Sequence, residues 1–267
     1  MKTNFEAIDF NTLYKVQKKA SSHKKKSAEL WDEKATDMDV KKNRGVYNEF
    51  VQNKISLHEV QSFLDVGCGP GTFALHYAPL VKEIVAFDFS TKMLEKLQNN
   101  IKQNGFKNIK VIQENIEGNW DNIPVCDVVL ASRCLEVDDL KAALEKLNSH
   151  AKKAVYLTFK AGNSYMDDEL LKIIKRDIIP RPDYIYVLNI LYQMGIRAKL
   201  DFVPKEDASF CKSPDDIEKY VKSISWSLEG LSEQEERKVR EYFISCQKKG
   251  ISPAYRNNGW ALIYWKK

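Results

Sequence analysis

Apolar residues along this chain keep one rhythm up to about residue 56 and a different one after it. In the first part they recur at helical spacing: Leu30, Trp31 and Ala35, then Val46, Tyr47, Phe50 and Val51. Recurrence every three to four residues puts side chains on one face of a helix. Two helices are therefore expected within "SAELWDEKATDMDVKKNRGVYNEFVQNKI". From residue 57 onward, short runs of consecutive apolar residues take over, such as "IVAF" and "VVLA". Unbroken runs of this length suit parallel strands buried on both faces.

These runs alternate with amphipathic stretches. Strands are expected at "SFLDVGCG", "EIVAFDFS", "NIKVIQEN", "CDVVLASRC" and "KAVYLTFKA". Helices are expected at "TFALHYAPLV", "TKMLEKLQNNIKQNG" and "VDDLKAALEKLNSHA", with a short helical or irregular piece around Trp120. Such alternation predicts an α/β protein with a doubly wound open sheet. The later part is less regular. "YMDDELLKIIKRDI" reads as an inserted helix stopped by Pro180 and Pro182, and "DYIYVLNILYQMG" as a helix ended by Gly195. "RAKLDFV" is expected as a sixth strand and "GWALIYWKK" as the last. Between them lie two expected helices, "SPDDIEKYVKSISWSL", with Ser213-Pro214 as cap and first position, and "SEQEERKVREYFISCQKKG". Residues 1–28 are expected to be loosely structured, with at most one short helix.

Composition narrows the class without naming a function. The 267 residues are 43% hydrophobic and 30% charged, as in ordinary globular chains. No apolar stretch approaches the ~20 residues of a membrane span, and no secretory signal is read at the N-terminus. A cytoplasmic location is expected. Cys68, Cys126, Cys134, Cys211 and Cys246 form no CxxC pair and no metal-ligand spacing with the histidines, so reduced thiols and no structural metal are expected. The net charge of +5 is partly local, in Lys15, Lys18, Lys19, Lys24, Lys25 and Lys26. A solvated, mobile segment is the expected reading of that cluster. A nucleic-acid docking patch is the alternative, though no aromatic stacking platform accompanies it.

Candidate chemistry centres on "FLDVGCGPGTF", where Gly67, Gly69 and Gly71 follow a buried run. Glycine allows a sharp strand-to-helix turn and lets a ligand approach the backbone. A dinucleotide fingerprint needs G-x-G-x-x-G, and here the spacing is G-x-G-x-G, with Thr72 in the last place. That argues against a nicotinamide oxidoreductase. Asp88 ends the second expected strand, 17 residues after Gly71, and a carboxylate there can accept hydrogen bonds from ribose hydroxyls.

"DVGCGPG" with Asp88 resembles the first motifs of class I S-adenosylmethionine-dependent methyltransferases, over roughly residues 60–203 and the last strand. The resemblance implies a three-layer α/β/α Rossmann-like fold whose seven-stranded, mostly parallel sheet has an antiparallel last strand. It divides the chain into an N-terminal tail and helical cap (1–56) and a methyltransferase domain (57–267) with helical lid insertions at about 163–180 and 205–258. The implied cofactor is S-adenosyl-L-methionine, with Asp65, Gly67, Cys68, Gly69 and Gly71 in its loop and Asp88 on the ribose. Phe89 and Met93 would pack around the adenine, with ordinary core packing as the alternative for each. Asn115 stands where the family usually has an adenine-binding Asp, and Ile116 would flank the ring. Ala131 and Ser132 would touch the cofactor through their backbone.

Acceptor chemistry is less legible. The chain has "ASRCLEV" after the fourth strand instead of the D/N-P-P-Y/F signature, which argues against methylation of base amines. Glu136 is the candidate base, although Glu136, Asp138 and Asp139 would also suit a helix start. Trp31, Tyr47 and Trp226 are expected to form a lid over a small-molecule acceptor. The alternatives are an RNA or protein methyltransferase docking through the lysine-rich N-terminus, and a catalytically silent cofactor-binding regulatory protein.

Overall fold

The computed structural model of the protein describes residues 5–36, 38, 45–162, 168–204, 216–250 and 259–267. Three helices come first: α1 (Phe10–Ala20), α2 (Ala28–Ala35) and α3 (Val46–Lys54). The alternating part follows as β1 (Ser62–Val66), α4 (Thr72–Tyr77), β2 (Glu83–Asp88), α5 (Thr91–Asn104), β3 (Ile109–Gln113), β4 (Cys126–Ser132), α6 (Leu140–Ser149) and β5 (Ala151–Ala161). Then come α7 (Asp168–Ile174), α8 (Tyr184–Gln193), β6 (Lys199–Phe202), α9 (Ile217–Leu228), α10 (Glu233–Lys248) and β7 (Gly259–Lys266).

The seven strands form one sheet in the order β3-β2-β1-β4-β5-β7-β6. β1 pairs in parallel with β2 and β4, and β3 and β5 extend the parallel run. β7 is antiparallel to both β5 and β6, so β6 runs with the first five strands as the family pattern implies. Successive residues of each strand point to opposite faces, which divides the core in two. Leu64, Val66, Phe87, Val129 and Leu157 pack with residues of α1, α6 and α8, including Tyr14, Leu144 and Leu191. Phe63, Ile84, Ala86, Leu130 and Tyr156 pack with Val51, Phe73, Tyr77 and Leu97 of α3, α4 and α5. The chain leaves β1 toward β2 on one side and reaches β4 on the other, so the crevice between β1 and β4 is the switch point where this architecture binds ligands.

A third cluster stands apart from both sheet cores. Leu170 and Ile174 of α7, Tyr220 and Ile224 of α9, and Val239, Tyr242 and Phe243 of α10 bury one another. Tyr242 and Phe243 are thus the interior of this helical unit. Arg176 fastens this unit through Glu235 and the carbonyls of Leu228 and Gly230.

Several expected boundaries move. α4 stops at Tyr77, ahead of Pro79, whose ring cannot continue a helix. α7 is seven residues long and ends at Ile174, just before Lys175, whose φ is +60°. The Ser213-Pro214 cap, Cys211 and residues 165–167 of the inserted helix lie outside the described residues.

The expectation of a mobile, solvated N-terminal segment is corrected. α1 begins on an Asp9 cap, and its Tyr14 is buried, donating to the Val137 carbonyl at 2.6 Å. Lys18 pairs with Asp138 at 2.6 Å, and Lys15 and Lys25 pair with Asp139 and Glu117. The lysines are ordered by acidic partners at the start of α6 and after β3, which sequence proximity does not reveal.

Candidate active site

The glycine loop is left-handed at each glycine, with φ of +61° at Gly67, +53° at Gly69 and +94° at Gly71. Their surroundings differ in kind. A Cβ on Gly67 would lie 2.5 Å from the Cβ of Cys134, and one on Gly71 would lie 2.3 Å from Cδ1 of Leu97. On Gly69 it would meet nothing nearer than the Met93 sulfur at 4.0 Å. Gly67 and Gly71 let the protein pack against itself, whereas Gly69 leaves room for something else.

Gly71 is the N-cap of α4 and has no side chain to offer. Asp65 acts in its place from β1, its Oδ2 accepting from the Ala74 N–H at 2.9 Å. Burial raises the Asp65 pKa to about 7, against the Ala74 hydrogen bond, and the neighbouring Asp88 adds to the rise. Asp88, at the end of β2, accepts from Gly69 N with Oδ2 and from Ser90 N with Oδ1, both at 2.9 Å. Burial raises its pKa as well, opposed by those hydrogen bonds. Each carboxylate oxygen has a second lone pair available in principle for a ligand hydroxyl. Ser90 caps α5 and donates to Asp32 of α2, which ties the N-terminal helices to this end of the site.

These residues border a cavity of about 620 Å³, within the ~300–1,000 Å³ range of small-molecule sites. The ends of β1, β2 and β3 contribute Asp65, Gly67, Cys68, Gly69, Asp88, Phe89, Asn115 and Ile116, and the start of α5 contributes Met93. Beyond β1 in the strand order, the ends of β4, β5 and β7 contribute Ser132, Arg133, Thr158, Lys160 and Trp260. Trp31 and Trp226 meet edge to face across the α2–α9 contact, with centroids 6.0 Å apart, and both line the cavity. Glu136 lines it too, paired with Arg181 at 3.2 Å.

Three expected contacts fall outside the wall. Gly71 faces Leu97, and Ala131, within β4, is fully buried in the sheet core. Tyr47, expected in the lid, lies below the site instead. Its hydroxyl bonds Ser132 Oγ and Thr158 Oγ1, each at 2.7 Å, and its ring carries the Arg133 guanidinium 4.3 Å from the centroid. Asn115 reaches the wall, but its Oδ1 accepts from Glu117 N at 2.9 Å in a local turn. Asp139 caps α6 by accepting from Ala142 N, in line with the helix-start reading of that acidic stretch.

Sequence reasoning missed His23, Arg133, Lys160 and Arg181, all in the cavity wall. Two of them leave traces: Lys160 interrupts the apolar strand "VYLTFKA", and Arg181 sits between Pro180 and Pro182. Lys160 is 5% exposed, with its ammonium 4.6 Å from the Trp260 ring centroid. Burial pushes its pKa down to about 5, with Arg181 and Arg133 acting in the same direction and Glu136 against them. His23 is buried, which takes its pKa down to about 4. Its Nε2 has no hydrogen-bond partner among the described residues.

A doubly wound sheet, a glycine loop at its switch point and an acid closing the next strand define an α/β enzyme that binds a nucleoside-type cofactor. A methyltransferase-domain family model matches residues 57–179. A Haemophilus influenzae protein described only as uncharacterized is 35% identical over 260 residues, covering 97% of this chain and 96% of its own. Among solved structures, the [4+2]-cyclase SpnF superposes with a TM-score of 0.56 at 16% identity, covering 82% of this chain and 79% of its own. Coclaurine N-methyltransferase bound to N-methylheliamine and S-adenosylhomocysteine gives 0.54 at 14% identity, covering 98% and 96%. Residues 57–179 thus form a methyltransferase domain, the fold is that of class I S-adenosylmethionine-dependent methyltransferases, and S-adenosylmethionine is the cofactor. The site fits that group: Gly69 leaves space beside Met93, and two buried carboxylates suit a cofactor carrying sulfonium and ammonium charges.

Proposed function

We propose that this methyltransferase acts by in-line displacement on a small organic acceptor enclosed beneath its helical cap. One observation carries this reading: the cavity that begins at Gly69 and Asp88 continues under the Trp31–Trp226 pair. When bound, the cofactor supplies a methyl group already activated by its sulfonium. The protein's part is then to align the acceptor at roughly 3–3.5 Å and to exclude water.

The geometry supports the following residue roles. Asp88 takes the ribose hydroxyls, while Gly67, Cys68 and Gly69 admit the methionine portion above Asp65. Phe89, Met93 and Ile116 flank the adenine. Asn115, with its oxygen engaged by Glu117 N, offers its amide N–H₂ to a ring nitrogen. Ser132 borders the passage to the acceptor. Glu136, paired with Arg181, is suited to orienting that guanidinium more than to serving as a base. Residues 1–56 act as a cap on the domain formed by 57–267, and the segments 163–180 and 205–258 act as its lid. The free thiols Cys68, Cys126, Cys134 and Cys246 go with a reducing compartment, the cytoplasm.

Pairing of Lys15, Lys18 and Lys25 with Asp139, Asp138 and Glu117 weakens the reading of a lysine arm reserved for RNA. The test is incubation with isotopically labelled S-adenosylmethionine and a cell extract separated into low-mass metabolites, RNA and protein. Label on a small molecule supports the proposal, and label confined to RNA or protein overturns it.

A further inference from the structure

On the far side of β1 from Asp88, three basic side chains reach the cavity from three separate elements. Arg133 follows β4 with a φ of +58°, its N–H held by Thr158 Oγ1 at 2.9 Å and its guanidinium over Tyr47. Lys160 lies on β5, cross-strand from Trp260 of β7. Arg181 comes from the segment between α7 and α8. These are not surface lysines that drifted inward. Each is fixed by an aromatic ring, a strand register or an ion pair.

Among the described residues, Arg181 and Arg133 act on Lys160 as cations and Glu136 as an anion. Burial first, and the two arginines with it, push the Lys160 pKa down to about 5, so an anion seated beside it would favour return of its proton. Guanidinium groups match the oxygens of carboxylates and phosphates geometrically, and within a cavity such contacts are stronger than in water. His23, neutral and buried with an unpartnered Nε2, borders the same cavity and lies within the field of Arg181 and Lys160.

We propose that Arg133, Lys160 and Arg181 form an anion site, and that the methyl acceptor is a small molecule bearing a carboxylate or phosphate group seated there. The inference rests on the reading of an enclosed small-molecule acceptor. It adds the chemical class, and it gives the three basic groups a common purpose.

The test titrates the protein, saturated with S-adenosylhomocysteine, with inorganic phosphate and separately with acetate at constant ionic strength. Saturable binding of at least one is expected, weakened roughly tenfold or more by Lys160→Met and by Arg181→Gln. Affinity for S-adenosylhomocysteine should stay within about twofold of the parent's in both variants, which reports an intact fold. If neither anion binds the parent, or both variants bind as the parent does, the anion site is overturned. In the labelled-extract experiment, a small labelled product retained by an anion exchanger at neutral pH supports the site. Labelled small products that all pass through the exchanger overturn it. Label on RNA or protein alone instead sinks the small-acceptor reading, whatever the titrations give, so the two failures are distinguishable.

Discussion

Gly69 donates its backbone N–H to Asp88 Oδ2 at 2.9 Å, joining the loop after β1 to the end of β2. The bond holds the carboxylate at the mouth of the space that Gly69 leaves open. Asp88→Ala should therefore remove a ribose acceptor and loosen the loop together. Charge-assisted hydrogen bonds contribute about 1.5–3 kcal/mol each, so affinity for S-adenosylhomocysteine should fall at least tenfold and up to several hundredfold. Isothermal calorimetry checks this, and near-parental affinity in the variant would remove Asp88 from the cofactor site.

The three loop glycines should respond differently to alanine. All three require a left-handed backbone, which costs an L-residue roughly 1–2 kcal/mol. Gly67→Ala and Gly71→Ala add collisions with Cys134 and Leu97, at 2.5 and 2.3 Å, and should lower the melting temperature most. Gly69→Ala has no such collision and should lose stability only through the backbone. Its larger effect should be on cofactor affinity, because the new methyl enters the cavity. Thermal denaturation of the three apo variants, followed by cofactor titration, separates the two effects.

Asp65 makes cofactor binding and stability depend on pH in opposite senses. Its folded pKa, raised to about 7, lies above the value of about 3.8 expected when unfolded, so the folded state holds an extra proton between these limits. Its stabilising contribution is complete below the unfolded pKa and is lost as pH rises through about 7. Binding of the cationic cofactor favours the ionised carboxylate, so affinity should rise over the upper part of this window and level off above it. Calorimetry near neutral pH in buffers of different ionisation enthalpy should detect a released proton. Asp65→Asn should abolish that proton and flatten the stability slope. A buffer-independent enthalpy for the parent would refute the linkage.

The order of strands could be read from the sequence because each buried strand announces itself through contiguous apolar residues and each intervening helix through its periodicity. Asp88 was legible for the same reason, as the polar residue that ends such a run. α1 was not: of its apolar residues Phe10, Leu13, Tyr14 and Val16, only Tyr14 is buried, while Leu13 and Val16 are exposed. Its apolar positions therefore do not mark the face it buries. Tyr47 misled because an aromatic near a cavity looks like a lid until Ser132 and Thr158 are seen to hold its hydroxyl below the floor. The basic residues at 133, 160 and 181 were invisible as a group because only the folded placement of β4, β5 and the α7–α8 connection brings them to one cavity.

Removal of residues 1–26 distinguishes a docking arm from a structural helix. Tyr14 is buried in the sheet core beside the Tyr186 ring and donates to the Val137 carbonyl, while its neighbours Lys15 and Lys18 bind the acidic start of α6. Aromatic truncations in cores cost about 3–5 kcal/mol, and about 1 kcal/mol shifts the melting temperature of a domain this size by roughly 2–4 °C. Tyr14→Ala should therefore lower the melting temperature by roughly 6 °C or more. Tyr14→Phe keeps the packing and should cost only the hydrogen bond, about 0.5–1.5 kcal/mol, plus any penalty for leaving the Val137 carbonyl unpaired. Deletion of the segment should be at least as damaging as Tyr14→Ala, and it should also weaken cofactor binding, since Lys18, His23, Lys24, Lys25 and Lys26 line the cavity. An RNA-docking arm predicts the reverse: an unchanged melting temperature, intact cofactor affinity and loss only of salt-sensitive RNA binding. Thermal denaturation of the deletion and the two point variants decides between them.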